Sequence, residues 1–474
     1  MIAGGNAVAG RAGADFTTVN PARPQEIIGR YIAADAEAIA QAVATARTAQ
    51  RVWAALPDLE RGRRVRHFLE AVAARADELA RAVTLEQGQP LGESRNELAK
   101  AIEEARFMAG EAARPHSGLI PSARAGVRNF VTRRPRGVIA AITPWNFPTL
   151  TPMRKIAPAL TFGNAIVLKP SEYTPAAAVL MAAAARDVLP EGLFQVLLGG
   201  AEAGAALAGQ AGVAGVTFTG SVETGRKIYA LAAANLAEIS LELGGKNAAI
   251  VNDAADIDPC LDQIAAAAFL CGGQRCTAIS RVLVREGLRD AVTAGLVARA
   301  ERAILGDGLD ARTTMGPLTN ANQLARVERM VRRGVSEGAH VATGGACAHV
   351  PGLDGGYFYR PTVLTGVEPE MSVAREEIFG PVISVIAYDT FDRAIAILNG
   401  VEYGLTSALF SNDNRLIQRF IDESENGMLH INHGTAPDEN MPFGGIKNSG
   451  VGAYSVGSSA VTFYTTEHSV YLKS

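Results

Sequence analysis

Gly273-Gln274-Arg275-Cys276-Thr277 places one cysteine in a glycine-flanked loop, and Glu242-Leu243-Gly244-Gly245-Lys246 places one carboxylate at the start of another. A thiolate is a strong nucleophile, and a carboxylate can take a proton from water. Those are the two groups needed to build a covalent thioester and then hydrolyse it. Pro144-Trp145-Asn146-Phe147-Pro148 adds an amide side chain between two prolines that fix the local backbone. An amide aimed at the oxygen of a carbonyl under attack typically contributes about 3 kcal/mol.

Each residue also has a plainer reading. Cys276 is a buried structural thiol, Glu242 a solvated strand end and Asn146 a turn residue. Glycines at 272 and 273 mark tight backbone placement rather than core packing. A loop that opens a helix would lower the Cys276 pKa. Cys260, Cys271 and Cys347 keep the structural reading. Cys271 and Cys276 have no histidine near them in sequence, so no zinc site is expected.

Two glycine turns are candidates for phosphate contact. Phe218-Thr219-Gly220-Ser221-Val222-Glu223-Thr224-Gly225 follows a strand and opens a helix, where main-chain amides receive a pyrophosphate. Gly199-Gly200-Ala201-Glu202-Ala203-Gly204 follows the preceding strand, and either stretch alone is also an ordinary strand–helix turn. Lys169-Pro170-Ser171-Glu172 ends another strand with a cation and a carboxylate suited to ribose hydroxyls. An acidic residue there repels a 2′-phosphate and so favours NAD over NADP.

These residues need a scaffold. Residues 36–106 carry apolar positions at helical spacing, and 118–136 read as an extended arm bounded by glycine and proline. Strands are expected at 138–142, 165–168, 194–198, 213–218 and 238–241, with helices between them at about 151–160 and 176–188. That alternation predicts a parallel sheet of the dinucleotide-binding kind. A second series begins at 247–251 and continues through strands at 280–284, 382–387, 407–410 and 428–431, with a helix at 288–304. Residues 460–472 alternate and are expected to form an edge strand.

The chain has 474 residues, too many for one core, with 48% hydrophobic and 20% charged residues and a formal net charge of -3. No basic run points to nucleic acid or to an anionic membrane, no apolar stretch reaches transmembrane length, and the N-terminus is not read as a secretory signal. The expected location is the cytoplasm.

In this order, the motifs resemble the aldehyde dehydrogenase superfamily. Glu377-Ile378-Phe379-Gly380-Pro381 and Pro442-Phe443-Gly444-Gly445 extend the match, which runs from Asn20-Pro21 to the tail. The resemblance implies an α/β fold in three parts. These are a Rossmann-like cofactor domain (1–117 and 135–246), an α/β catalytic domain (247–445) and a β oligomerisation arm (118–134 and 446–474). It implies Cys276 as nucleophile, Glu242 as the base of deacylation, Asn146 with the Cys276 amide as oxyanion site, and Lys246 as support for proton transfer. Lys169 and Glu172 would meet the adenosine ribose, and Ser221 the pyrophosphate. Glu377 would hold the nicotinamide ribose, with Phe379 beside the ring. Trp145, Ser171, Gly200, Gly204, Phe218, Gly220, Leu243 and Gly244 complete the implied cofactor contacts. NAD is the implied cofactor, with NADP as the alternative, and no metal is expected. A homodimer or homotetramer is the usual assembly.

Arg154 falls on the helix that lines the family's aldehyde tunnel, where semialdehyde dehydrogenases carry an arginine for the substrate carboxylate. The other reading is an arginine paired with a neighbouring carboxylate. Two departures weigh against a semialdehyde. Leu270 stands where that subfamily has a second arginine, and Asp438 and Glu439 would repel an anion if they face the tunnel. An aromatic or hydroxylated aldehyde, met by His433, is the alternative. A thiol esterase without a redox step, or an idle binding protein on the same fold, would be favoured by losses at these positions. All of the positions are kept.

Overall fold

The computed structural model describes residues 7–8, 14–253 and 256–473. Two seven-stranded sheets and a small three-stranded sheet carry the fold, with helices between the strands.

The first sheet runs in the order Ala7–Val8, Phe194–Leu197, Ala165–Lys169, Val138–Ile142, Val213–Thr219, Glu238–Glu242 and Gly450–Gly452. All pairs are parallel except the last. Val138–Ile142 and Ala165–Lys169 are buried at every position. Unbroken apolar runs of this kind suit strands covered on both faces. From Val138–Ile142 the chain first builds outward to Phe194–Leu197. It then returns to lay Val213–Thr219 on the other side. The order therefore reverses between these two strands, and such a reversal opens a crevice at the carboxyl ends of the strands.

The second sheet is ordered His340–Thr343, Thr362–Thr365, Val382–Tyr388, Arg281–Arg285, Ala248–Val251, Thr406–Phe410 and Met428–Ile431. Only its first pair is antiparallel. In the small sheet, Val127–Pro135 lies between Gly118–Ile120 and Thr465–Lys473. The helical region expected near the N-terminus resolves into four helices, from Ala36–Ala54 to Leu91–Gly110.

Three expectations change. Residues 460–464 are not strand: Ser458–Tyr464 is a helix after Gly457, which takes φ 72°. Ala460, Val461, Phe463 and Tyr464 are buried together at helical spacing. Gly450–Gly452, expected in the arm, instead extends the first sheet. Cys347 is exposed rather than buried. The antiparallel hairpin Asp15–Asn20 with Arg23–Ile32, and the helix Ala321–Ser336, were not read from the sequence.

Candidate active site

The carboxyl ends of the first sheet face the nucleophile's segment of the second unit across one cavity of about 1110 Å³. Cys276, Glu242, Asn146, Arg154 and His433 line it, as do Trp145, Lys169, Ser171, Glu172, Gly200, Gly204, Phe218, Gly220, Ser221, Leu243, Gly244, Glu377 and Phe379. Lys246 lies behind the wall: it is buried, and among the described residues its Nζ has no hydrogen-bond partner.

Cys276 sits between the short 3-10 turn Leu270–Gly273 and the strand Arg281–Arg285. That turn is left-handed at Cys271 and Gly272, with φ 56° and 60°. Gly273 continues it at φ 69°, and a Cβ there would collide with the Gly380 carbonyl, so only glycine fits. Asn247 Nδ2 donates to the carbonyls of Cys276 and Ala278, at 2.7 and 2.8 Å. Thr435 Oγ1 donates to the Thr277 carbonyl at 2.6 Å. These bonds fix the backbone beside the thiol.

The expected lowering of the thiol pKa does not occur. No helix begins at Cys276, and enclosure by the cavity walls pushes its thiol up to about 12. Glu242 pushes the same way, while Arg154 and Arg275 oppose it. The resting group is therefore a thiol, and attack requires a proton acceptor.

Glu242 ends its strand with Oε2 accepting from Thr219 Oγ1 at 3.2 Å, while its buried Oε1 has no partner among the described residues. Lys155, also fully buried, donates from Nζ to Thr217 Oγ1 at 2.9 Å. Burial brings its ammonium down to about 8, against the pull of Glu242. Asn146 Nδ2 donates to the Gln274 carbonyl at 2.8 Å, which ties the amide to the loop carrying the nucleophile.

Arg154 lines the cavity, but its guanidinium is already engaged. Nε and Nη2 donate to the two oxygens of Glu104 at 2.8 and 2.7 Å, and both side chains are buried. The same guanidinium lies 4.0 Å from the centre of the Phe443 ring. This is the pairing alternative raised by the sequence. Sequence reading missed Glu104, because one glutamate in an exposed-looking helix carries no signal of its own. It also missed Lys100, another cavity-lining cation, which donates to the Pro437 carbonyl and stands 3.8 Å from Glu439. Pro437 lines the cavity, whereas Asp438 and Glu439 do not. His433 packs edge-on against His430 at 4.8 Å, and burial holds His430 down to about 4.

The remaining wall carries groups suited to a dinucleotide. Ser221 caps the helix Val222–Ala233, its Oγ accepting from the Thr224 amide at 3.2 Å. Lys169 Nζ donates to the carbonyls of Pro170 and Gly199 and lies 4.0 Å from Glu172. Burial lowers Lys169 to about 8. Glu377 Oε1 accepts from the Gly245 amide at 3.0 Å. A Cβ on Gly244 would collide with the Glu377 carboxylate, so this approach needs glycine. The Phe379 ring meets Trp145 edge-on at 5.5 Å.

The sequence profile of the Aldehyde dehydrogenase family matches residues 8–470. The chain belongs to that family. An α-ketoglutaric semialdehyde dehydrogenase of Bacillus subtilis is 36% identical over 457 residues, covering 96% of this chain and 94% of the relative. A glutarate-semialdehyde dehydrogenase of Pseudomonas aeruginosa is 38% identical over 436 residues, covering 92% and 89%. The crystal structure of a point mutant of betaine aldehyde dehydrogenase from Staphylococcus aureus in complex with NAD+ superposes with a TM-score of 0.95 at 32% identity, covering 98% of this chain and 94% of that one.

Proposed function

We propose that the protein oxidises an aldehyde to its carboxylic acid with NAD, through a thiohemiacetal and then a thioester on Cys276. The observation that carries this reading is the meeting of Cys276, Asn146 and Glu242 on one cavity. The Cys276 sulfur adds to the aldehyde carbon as Glu242 takes the thiol proton. The oxygen that becomes anionic is held by Asn146 and the Cys276 amide. Glu377 and Phe379 would hold a nicotinamide against the substrate carbon, and the group would supply the hydride acceptor that turns the thiohemiacetal on Cys276 into a thioester. Glu242 passes the thiol proton to solvent and then takes a proton from water, the hydroxide adds to the thioester carbon, and the sulfur leaves and recovers its proton from Glu242 as the acid is released. Splitting one difficult step into two is the gain from covalent catalysis.

The cofactor wall fits NAD. Lys169 and Glu172 supply a cation and a carboxylate for ribose, Ser221 and Gly220 lie at an open helix N-terminus, and Glu377 supplies a second carboxylate. Glu172 favours NAD over NADP by repelling a 2′-phosphate. Lys246, lowered by burial to about 7, is a group that can change charge near neutral pH.

The substrate we infer is a small polar or carboxylate-bearing aldehyde of the semialdehyde class. Lys100 on the cavity wall supports it, as do the names of two relatives. Asp438 and Glu439 do not line the cavity, although Glu439 stands 3.8 Å from Lys100 and offsets part of its charge. A second reading, an aromatic or hydroxylated aldehyde, draws on the neutralised Arg154 and on His433 and Phe443 in the wall. The assembly we infer is a homodimer or homotetramer. Among the described residues, Thr465–Lys473 pairs on one side only, and Tyr471 and Leu472 are exposed.

NADH absorbance tests both parts. The panel holds succinic and 2-oxoglutaric semialdehydes, benzaldehydes and short aliphatic aldehydes, each with NAD and with NADP. Highest kcat/KM on the carboxylate-bearing members supports the semialdehyde reading, and preference for uncharged aromatics supports the second. No turnover with any aldehyde, alongside hydrolysis of an activated ester, would reject the dehydrogenase.

A further inference from the structure

The helix Leu150–Thr161 follows the Asn146 loop, yet Thr149 gives it no side-chain cap. Its first amides are satisfied from outside. Glu97, on the helix Leu91–Gly110, is buried and directs Oε1 at three donors: the Thr149 amide at 2.8 Å, the Thr149 hydroxyl at 2.6 Å and the Leu150 amide at 3.0 Å. Its Oε2 accepts from Gln89 Nε2 at 2.7 Å. Burial raises its pKa above the usual carboxylate range, and the four donors offset this only in part. A carboxylate at a helix N-terminus also meets the positive end of the helix dipole.

The same brace reaches the other loop. Gln87 Oε1 accepts from the Gln89 amide at 2.7 Å, and Gln87 Nε2 donates to Cys271 Sγ at 3.1 Å. Glu93 Oε2 accepts from the Cys271 amide at 2.8 Å. Asn146 stands three residues before Thr149, and its own amide donates to Gln274, two residues before Cys276. The oxyanion side chain is thus held at both ends of its loop.

We propose that Glu97 is a positioning residue, which sets the placement of Asn146 over the carbon attached to Cys276. This rests on the oxyanion role of Asn146 given above. Glu97 lines the cavity wall, but both of its oxygens are taken by these four donors. It acts through the loop, so its effect should fall on kcat and disappear once Asn146 is truncated.

A double-mutant cycle tests this. Asn146→Ala is expected to lower kcat by about 10²–10³. Glu97→Gln keeps one acceptor oxygen but sets an amide against Gln89, and should lower kcat about tenfold with KM for aldehyde and NAD within about twofold. In the Asn146→Ala background, Glu97→Gln should lower kcat by less than about twofold. Thr149→Val removes one donor and leaves the carboxylate in place, so it gives a milder variant if Glu97→Gln folds poorly. It should show the same loss of effect in the Asn146→Ala background. Additive losses in both cycles, or kcat unchanged in both single variants of the brace, would overturn the proposal. An Asn146→Ala enzyme with full kcat would instead overturn the oxyanion role itself.

Discussion

Arg154 meets Glu104 at two points, 2.8 and 2.7 Å, with both side chains buried beside the cavity that holds Cys276. A buried pair of this geometry is weakly stabilising as a pair but costly to break. Removing one partner strands the other charge and typically costs about 3–5 kcal/mol. Arg154→Ala is therefore expected to lose that much stability, measured by denaturant unfolding. Arg154→Met combined with Glu104→Gln should recover most of it, since no lone charge remains. Equal instability of the single and double variants would contradict the pairing account. Lost activity in Arg154→Ala alone is consequently poor evidence for a substrate contact.

Lys100 is the better probe of substrate charge. Its ammonium has one carbonyl acceptor, at Pro437, and a carboxylate only at 3.8 Å. It keeps donor capacity for an anion at the cavity. Lys100→Met should raise KM for a carboxylate-bearing aldehyde about tenfold, the weight of one charge-assisted hydrogen bond. KM for a neutral aldehyde of equal length should stay within about twofold. Steady-state kinetics on the matched pair decides it, and an equal rise for both would assign Lys100 to loop closure alone.

The thiol of Cys276 is held up to about 12 by enclosure and by Glu242. Only the deprotonated form alkylates. Inactivation of the cofactor-free enzyme by iodoacetamide should thus accelerate about tenfold per pH unit from neutrality, without a plateau below about pH 10. A plateau near pH 8 would mean that the cavity stabilises the thiolate. Glu242→Gln removes a charge that disfavours the thiolate, so the rise should begin at lower pH in that variant.

Lys246 makes stability depend on pH. Burial lowers its ammonium from 10.5 to about 7, so between those values the unfolded chain binds a proton that the folded chain does not. Stability contributed by this group therefore rises with pH across that window and is flat below it. Relative to Lys246→Met, the wild type should gain on the order of 1 kcal/mol per pH unit above neutrality. Thermal unfolding between pH 7 and 9.5 reads this, and parallel profiles would show that Lys246 is not perturbed.

The legible parts of the molecule were those with local signals. The runs at 138–142 and 165–168 are apolar throughout and became fully buried central strands. The glycines around Cys276 and Glu242 marked backbone that takes left-handed φ or approaches another chain segment closely, as Gly273 and Gly244 do. What stayed hidden depends on partners distant in sequence. Glu97 and Glu104 look like ordinary charges on a long helix until that helix packs against Leu150–Thr161. The pKa of Cys276 was misjudged for the same reason, because enclosure comes from the tertiary structure and no local pattern encodes it. The tail misled through composition: β-branched and aromatic residues at 460–464 suit a strand, but their burial falls on one helical face.

In the proposed reaction Glu242 hydrolyses a thioester formed on Cys276. Glu242→Gln should slow acylation, because the thiol loses its proton acceptor and only the small thiolate fraction attacks, and should abolish deacylation. Mixed with a turned-over aldehyde and NAD, it should release a burst of about one NADH per active site. Intact mass after acid quench should show the acyl group added to the chain, absent when Cys276→Ala is introduced as well. A burst with that mass shift is the expected result. Steady turnover by Glu242→Gln at the wild-type rate, or NADH release with no adduct on Cys276, would contradict the mechanism.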